Sequence, residues 1–290
     1  MRRLVLLAAL AAPAWAAQAA GDELRFAVLY TQQNDAVRSV LAGLRTAVGD
    51  RARLVEVPVG VVGGVPQGFA GTSVSIALGS DAQAAARTLA PAVPNVACLT
   101  LHVANSGVSL EFPFDRQFQT MRRIIPNARN VGVLYSGPAA QKRIEEAAAA
   151  ARRAGLNLIA REVAQPADLT PVLEHLASQI DVLWGFPDPR VLTPQAGRQV
   201  LLLSFRNRVP FVGPSEVWVK AGALYALDWD YQDMGRQCGE VALRVAVAPA
   251  QSVVQAPRKS VLVFNSRTAQ QMRLEPPSDR SLWDEFHVIE

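Results

Sequence analysis

The feature of this sequence that most constrains its fold is an internal duplication. Residues 26–31 (FAVLYT) resemble residues 131–136 (VGVLYS), and the two runs lie 105 positions apart (131 − 26). Each run is short, apolar and rich in strand-forming residues, which predicts a buried strand. A polar loop and an apolar stripe with helical periodicity follow each run, over residues 36–48 and 139–154. The chain therefore reads as two copies of one unit.

The correspondence continues along both halves. Three further pairs of segments match: 74–79 with 181–185, 93–96 with 209–212, and 112–115 with 227–230. Each half reads β-α-β-α-β-α-β, and this alternation predicts a parallel sheet covered by helices on both faces. The expected fold class is therefore α/β, with two similar Rossmann-like lobes.

The extended segments that end at Asp115 and Asp230 are where we expect the chain to pass from one lobe to the other. A strand pattern over residues 260–265 predicts a third crossing, so the lobes would be joined by a multi-crossing hinge. The tail, with two prolines and mixed charge, predicts an appended surface segment. The expected divisions are lobe one at 20–113 and 230–257, lobe two at 114–229 and 258–275, and the tail at 276–290.

The first residues predict export. Arg2 and Arg3 precede an apolar run over residues 4–12, and small residues follow at spacings that suit signal-peptide cleavage. The apolar run is shorter than the roughly 20 residues that a membrane-spanning helix needs. We expect residues 1–19 to be a cleaved signal peptide and the mature chain to be periplasmic.

Charge and composition exclude several classes of protein. The net charge of +4 includes Arg2 and Arg3, which leaves +2 (4 − 2) on the mature chain. A charge this small and this evenly spread does not indicate nucleic-acid binding. Half of the residues are hydrophobic, which permits a large core and argues against disorder.

The sequence contains none of the motifs that indicate catalysis. There is no Gly-x-Ser-x-Gly elbow, phosphate loop or His-Glu-x-x-His pair, and the glycines of residues 60–71 do not form a dinucleotide fingerprint. The three histidines have no metal-ligand spacing. We therefore expect no enzymatic activity, no cofactor and no metal. Two cysteines are present, Cys98 and Cys238; export would permit them to pair, but two separately buried thiols are favoured.

Three longer stretches carry a resemblance to a known family. They cover residues 124–135 (IIPNARNVGVLY), 219–240 and 259–269. The chain resembles the substrate-binding proteins of ABC transporters, of the tryptophan or aromatic amino-acid type, which have the type I periplasmic binding fold. The resemblance spans nearly the whole mature chain. It implies a monomeric periplasmic protein that captures a small molecule in the cleft between its lobes, with an amino acid as one candidate ligand, and delivers it to a membrane permease.

The sequence departs from the family pattern at two places in the first lobe. Residues 79–81 read Gly-Ser-Asp where the family usually has Gly-Thr-Pro, and residues 101–105 form a shorter connection after the fourth strand. Both places belong to the expected ligand side of that lobe. The identity of the ligand therefore stays open.

Ligands of open α/β sheets bind beyond the carboxyl ends of the strands. In lobe one this rule selects Tyr30, Gln32, Ser80, Asp81 and His102; in lobe two it selects Tyr135, Ser136, Asp188 and Glu216, with Asp230 at the crossing. Each candidate also has a structural alternative. The acidic and hydroxyl side chains can cap helices or form turns, the tyrosines can face the core, and the histidine can be a satisfied structural residue.

The same fold also permits a second function. A periplasmic module can report ligand occupancy to a membrane sensor or an outer-membrane receptor instead of delivering cargo, and fold alone does not separate these roles. A neighbouring permease gene would favour import, whereas a neighbouring sensor gene would favour signalling.

Overall fold

The computed structural model describes residues 23–60, 69–274, 277, 279 and 281–289. The expected signal peptide lies outside the described residues. The chain divides into two compact units: the described residues up to Gly107 with Gly235–Val254, and Val108–Met234 with the described residues from Gln255 onward. The divisions follow residues 107, 234 and 254, whereas the sequence places them after 113, 229 and 257.

The elements follow one another along the chain in three stretches. The first contains β1 (Leu24–Tyr30), α1 (Asp35–Val48), β2 (Ala52–Pro58), β3 (Val74–Leu78), α2 (Ser80–Leu89), β4 (Asn95–Thr100) and β5 (Ser106–Ser109). The second contains α3 (Phe114–Ile124), β6 (Asn130–Tyr135), α4 (Gly137–Arg153), β7 (Asn157–Glu162), α5 (Leu169–Ala177), β8 (Val182–Trp184), α6 (Pro194–Asn207), β9 (Phe211–Gly213), α7 (Glu216–Lys220) and β10 (Tyr225–Trp229). The third contains α8 (Tyr231–Val247), β11 (Val254–Gln255), β12 (Ser260–Asn265), α9 (Ser266–Gln271), α10 (Ser281–Glu285) and β13 (Phe286–Ile289). Among the described helices, none is long and apolar enough to cross a membrane.

The strand orders of the two sheets confirm the duplication. The first sheet runs β2-β1-β3-β4-β5-β11 and the second runs β7-β6-β8-β9-β10-β12-β13, so each strand of the first has a counterpart in the second. Strands β1 to β4 pair in parallel where they are neighbours, as do β6 to β10, while β12 joins β10 antiparallel. Helices alternate with the strands, which confirms the predicted α/β class.

The second half follows the predicted order of strands and helices from β6 to β9. In the first half, the connection from β2 to β3 includes residues 61–68, which lie outside the described residues. The halves differ after their fourth strands, because residues 101–105 join β4 directly to β5 whereas α7 intervenes between β9 and β10. The connection after the fourth strand is therefore shorter in the first half than in the second, and its shortening relative to the family pattern stays a prediction.

Apolar side chains cover both faces of the second sheet. One cluster on this sheet contains Phe118, Val131, Val133, Trp184 and Tyr225. The other contains Leu134, Leu183, Phe211, Ala226 and Val263, so alternate residues along β6 and β10 point into different clusters. Alternation of this kind follows from the two-residue repeat of a strand. Because both faces are covered, the sheet can hold polar groups only at its edges and strand ends.

The two cysteines are joined, so the prediction of separate thiols was wrong. A disulfide links Cys98 on β4 to Cys238 on α8, and both side chains are fully buried. The residues are 140 positions apart, and only the packing of α8 on the first unit brings them together. Gly235 on α8 permits this packing, because a Cβ there would overlap the carbonyl oxygen of Val40 on α1.

The prediction of an appended surface tail was also wrong. Strand β13 pairs in parallel with β12 and extends the second sheet. Leu282 is fully buried, and the ring of Phe286 stacks on Phe264 with centroids 4.7 Å apart. The prolines and charges of this segment led to the prediction of a surface tail. The apolar residues that follow them pack on the second unit and attach the segment to it.

Candidate functional site

The carboxyl ends of β1, β3 and β4 place five of the sequence-predicted residues at one edge of the first sheet, because the three strands run in parallel. Tyr30 ends β1, Ser80 and Asp81 follow β3, and Gln32 and His102 lie in the loops after β1 and β4. This is the edge at which open α/β sheets bind ligands.

Tyr30 faces the interior of the first unit. Its side chain is 7% exposed, and its hydroxyl donates a hydrogen bond to Glu56 Oε2 at 3.1 Å. Glu56 also pairs with Arg45 on α1. Burial, followed by the hydrogen bond to Glu56, raises the pKa of Tyr30. The hydroxyl is thus occupied within the unit, whereas Gln32 is exposed.

Helix α2 begins at this edge without a side-chain cap. Gly79 precedes it with a φ of 102°, a conformation that favours glycine. Ser80 and Asp81 are exposed residues of the first turn, so neither is the N-cap that the structural alternative assumed. An acidic side chain here is stabilised by the helix dipole.

His102 is exposed, and its loop is held by a residue that the sequence did not indicate. Gln83 on α2 is 7% exposed. With its amide oriented to satisfy both neighbours, it donates to the carbonyl oxygen of His102 and accepts from the N–H of Ala104, each at 3.0 Å. In the sequence, this role is indicated only by a glutamine beside the alanines that form the buried face of α2.

In the second unit, Ser136 and Asp188 lie together at the carboxyl edge. The N–H of Ser136 donates to Asp188 Oδ2 at 2.8 Å, and the N–H of Arg190 donates to Asp188 Oδ1 at 3.0 Å. The guanidinium of Arg190 also donates to the Ser136 carbonyl oxygen. Asp188 is 5% exposed, so its carboxylate holds the loops after β6 and β8 together. Tyr135, which ends β6, is half-buried against the core.

Glu216 and Asp230 both interact with residues of the helix that they begin or precede. The carboxylate of Glu216 pairs with Lys220 one turn later, at 2.8 Å. Asp230 accepts the N–H of Asp233 at 2.8 Å and caps α8. Asp228, which is 6% exposed, accepts the N–H groups of Glu216 and Trp229 at 2.7 Å each. Burial raises the pKa of Asp228, and the two backbone hydrogen bonds lower it by less.

Three aromatic rings lie where β10 ends. Trp229, the last residue of β10, stacks on Phe112 with centroids 5.9 Å apart and an interplanar angle of 12°. The ring of Tyr231 lies 6.0 Å from that of Trp229, at 46°. Trp229 Nε1 donates to the carbonyl oxygen of Leu110 at 2.8 Å. Phe112 is buried, whereas Trp229 and Tyr231 are partly exposed, so this edge presents aromatic surface to solvent.

A charged pair in the second unit includes the residue that precedes Phe112 in the chain. Arg143 on α4 pairs with Glu111, and the guanidinium carbon lies 4.7 Å from the ring centroid of Phe186. Burial lowers the pKa of Arg143, and the charges of Glu146 and Asp188 raise it by less. Sequence patterns did not reveal this pair, because Glu111 and Arg143 are 32 positions apart.

Trp184 belongs to the core. It is 3% exposed, its ring contacts those of Phe114 and Phe118, and its Nε1 donates to Gln117 Oε1 at 3.0 Å. Within the residues that the structure describes, no group of three His, Cys, Asp or Glu side chains could hold a metal ion.

The chain is similar to known proteins at the level of family, sequence and structure. The family model described as "ABC transporter substrate binding protein" matches residues 100–279, more than half of the chain. A tyrosine-binding protein of Clostridioides difficile (strain R20291) is 22% identical over 142 residues, which cover 48% of this chain and 41% of that relative. The chain therefore matches about two fifths of the length of that relative.

Two solved structures share the fold. A domain from Streptococcus pneumonia in complex with L-Trp is 18% identical, with 92% of this chain and 100% of that chain covered and a TM-score of 0.62. A ligand-free, open substrate binding protein with adhesive properties from Clostridium difficile is 15% identical, with 92% and 99% covered and a TM-score of 0.68. At these identities the likeness establishes the fold, and it agrees with the two-lobed architecture expected from the sequence.

Proposed function

Because this chain belongs to the ABC transporter substrate binding protein family, we propose that it captures a free amino acid outside the cytoplasm and delivers it to the permease of an ABC importer. It binds its ligand without changing it chemically. A domain that shares the fold was solved in complex with L-Trp, and a relative that is similar in sequence is named a tyrosine-binding protein, which supports an amino acid as the ligand class.

The observation that carries the proposal is the aromatic surface at the carboxyl edge of the second sheet. Partly exposed rings are costly to leave in water, and they stack well on a flat ligand. Trp229 and Tyr231 lie where ligands of open α/β sheets bind. An aromatic amino acid would therefore gain more from this edge than an aliphatic one.

Two features support a periplasmic location. The Cys98–Cys238 disulfide belongs to a class of bond that persists in oxidising compartments and is rare in the cytosol. The basic and apolar pattern of residues 1–19 is typical of a secretory signal.

Isothermal titration calorimetry with L-tryptophan, L-tyrosine and L-leucine tests the ligand class. We expect the aromatic amino acids to bind more tightly than leucine. Trp229→Leu should weaken the binding of L-tryptophan by about 10-fold, since one stacking partner is lost. Trp283→Leu is the control, because Trp283 is an exposed tryptophan of α10 that packs on Phe264 and Phe286 instead. Equal losses in the two variants would contradict a stacking role for Trp229.

Uptake of labelled L-tryptophan by cells that lack this gene tests the importer role. We expect slower uptake than in the parent strain, restored by the wild-type gene. Unchanged uptake together with tight binding in vitro would contradict import and would favour a sensing role.

A further inference from the structure

The second unit contains a half-buried ion pair whose two members come from separate segments. Arg143 projects from α4, and Glu111 lies between β5 and α3. Their side chains are 21% and 27% exposed. The ring of Phe186, itself 2% exposed, lies under the guanidinium. The pair is therefore packed into the edge of the unit and still reaches solvent.

Three consecutive residues connect this pair to the aromatic surface. The carbonyl oxygen of Leu110 accepts from Trp229 Nε1, Glu111 pairs with Arg143, and the ring of Phe112 stacks on Trp229. One short segment thus takes part in both the ion pair and the stacked rings, which together supply a cation, an anion and an aromatic ring. A free aromatic amino acid carries the same three groups.

The charges of the pair suit a ligand that is itself a zwitterion. The guanidinium has five N–H donors and a carboxylate has two acceptor oxygens, so each can bind a ligand group without releasing its partner. Removing the partner of a half-buried charge costs binding or folding free energy. Placing a ligand charge of the same sign beside that charge also costs free energy. A ligand with both charges adds no net charge to the pair.

We propose that Arg143 and Glu111 determine specificity for the zwitterion of an α-amino acid, Arg143 binding its carboxylate and Glu111 its ammonium group, while the side chain lies against Trp229. This inference rests on the proposed amino-acid function. It assigns a chemical requirement that stacking alone does not impose, namely that both charged groups of the ligand must be present.

Three ligands with one ring system separate these requirements. L-Tryptophan carries both charges, tryptamine lacks the carboxylate, and indole-3-propionate lacks the ammonium group. We expect the wild-type protein to bind L-tryptophan about 100-fold more tightly than either analogue, the usual scale for leaving a buried charge unpaired.

Variants of the pair test the assignment by calorimetry, with thermal unfolding as a check on folding. Arg143→Gln should reduce the 100-fold preference for L-tryptophan over tryptamine to below about 10-fold, because the carboxylate has lost its partner. Glu111→Gln should do the same for the preference over indole-3-propionate. The double variant R143Q/E111Q leaves no unpaired charge and keeps the test valid if a single variant unfolds.

The pair formed by Arg153 and Asp115 provides the matched control. It also pairs an arginine of α4 with an acidic residue, here Asp115 of α3, with a hydrogen bond of 2.8 Å, but its side chains are 61% and 48% exposed. R153Q/D115N should leave all three affinities unchanged.

Two results would overturn the inference, and they have different meanings. If the wild-type protein binds L-tryptophan and the preferences survive in R143Q/E111Q, the pair is only a structural contact and the proposed function stands. If the wild-type protein binds no amino acid, the proposed function fails and this inference fails with it.

Discussion

At the scale of single residues, Tyr225 has an unsatisfied hydroxyl group in the interior of the second unit, as far as the structure describes it. Its side chain is 1% exposed, and no described residue offers its hydroxyl a hydrogen-bond partner. Burial without a partner raises the pKa of this tyrosine. A buried polar group without a hydrogen bond costs free energy that an apolar group of the same shape avoids.

We expect Tyr225→Phe to stabilise the protein by about 1 kcal/mol, because the unpaired hydroxyl is removed and the ring stays. Tyr30→Phe is the control, since the hydroxyl of Tyr30 donates to Glu56, and this variant should lose about 1 kcal/mol. Urea unfolding of both variants measures the difference. A loss of stability in Tyr225→Phe would show that its hydroxyl has a partner.

The site was predictable in position but not in detail at this scale. The ends of the strands follow from the sequence pattern, so Ser136 and Asp188 could be placed at one edge. That Asp188 binds the N–H of Ser136 depends on two loops meeting 52 positions apart. The pairing of Glu111 with Arg143 likewise depends on a contact between distant segments, and no local sequence pattern indicates that contact.

At the scale of elements, the contact between α8 and α1 depends on glycine. A Cβ at Gly235 would overlap the backbone oxygen of Val40, and backbone cannot move aside as a side chain can. At Gly239, a Cβ would lie 2.8 Å from the Cβ of Ala47, which is also fixed to the backbone of α1, so the overlap there is smaller. The contact between α8 and α1 therefore tolerates an added methyl group less well at Gly235 than at Gly239.

We expect Gly235→Ala to destabilise the protein by about 3 kcal/mol, because the helices must separate. Gly239→Ala should cost less, about 1 kcal/mol, since the overlap is smaller and a smaller separation of the helices relieves it. Thermal and urea unfolding measure both. Equal stability of the two variants would contradict the close approach of α8 and α1.

The disulfide provides an independent measure of how α8 is attached. We expect the double variant C98A/C238A to lose about 2 to 5 kcal/mol, because the bond restricts a long loop of the unfolded chain. A reductant should destabilise the wild-type protein by a similar amount. The double variant is its own control, since the sequence has only these two cysteines and the reductant should then change nothing. An effect of reductant on the double variant would contradict the assignment.

The elements themselves were largely predictable, because apolar periodicity marks β1, β6, α1 and α4 directly. Two features were not. The pairing of Cys98 with Cys238 depends on helix packing, and the attachment of residues 281–289 depends on a short apolar run behind prolines. In both cases tertiary contacts, which local sequence does not encode, decide the outcome.

At the scale of the whole molecule, the duplicated sequence accounts for two units with the same strand order. The carboxyl ends of the parallel strands carry mostly polar, exposed residues in the first unit, and aromatic and charged residues in the second. The ligand-binding cleft expected from the duplication stays a prediction.

The central claim is that the mature protein binds an amino acid. The most direct test is a thermal-shift screen against amino acids, nucleosides, sugars and small organic acids. A ligand at a hundredfold excess over its dissociation constant stabilises the native state by about 2.7 kcal/mol. We expect the unfolding midpoint to rise with aromatic amino acids and to stay unchanged with the other classes. No rise with any amino acid at millimolar concentration would contradict the proposed function.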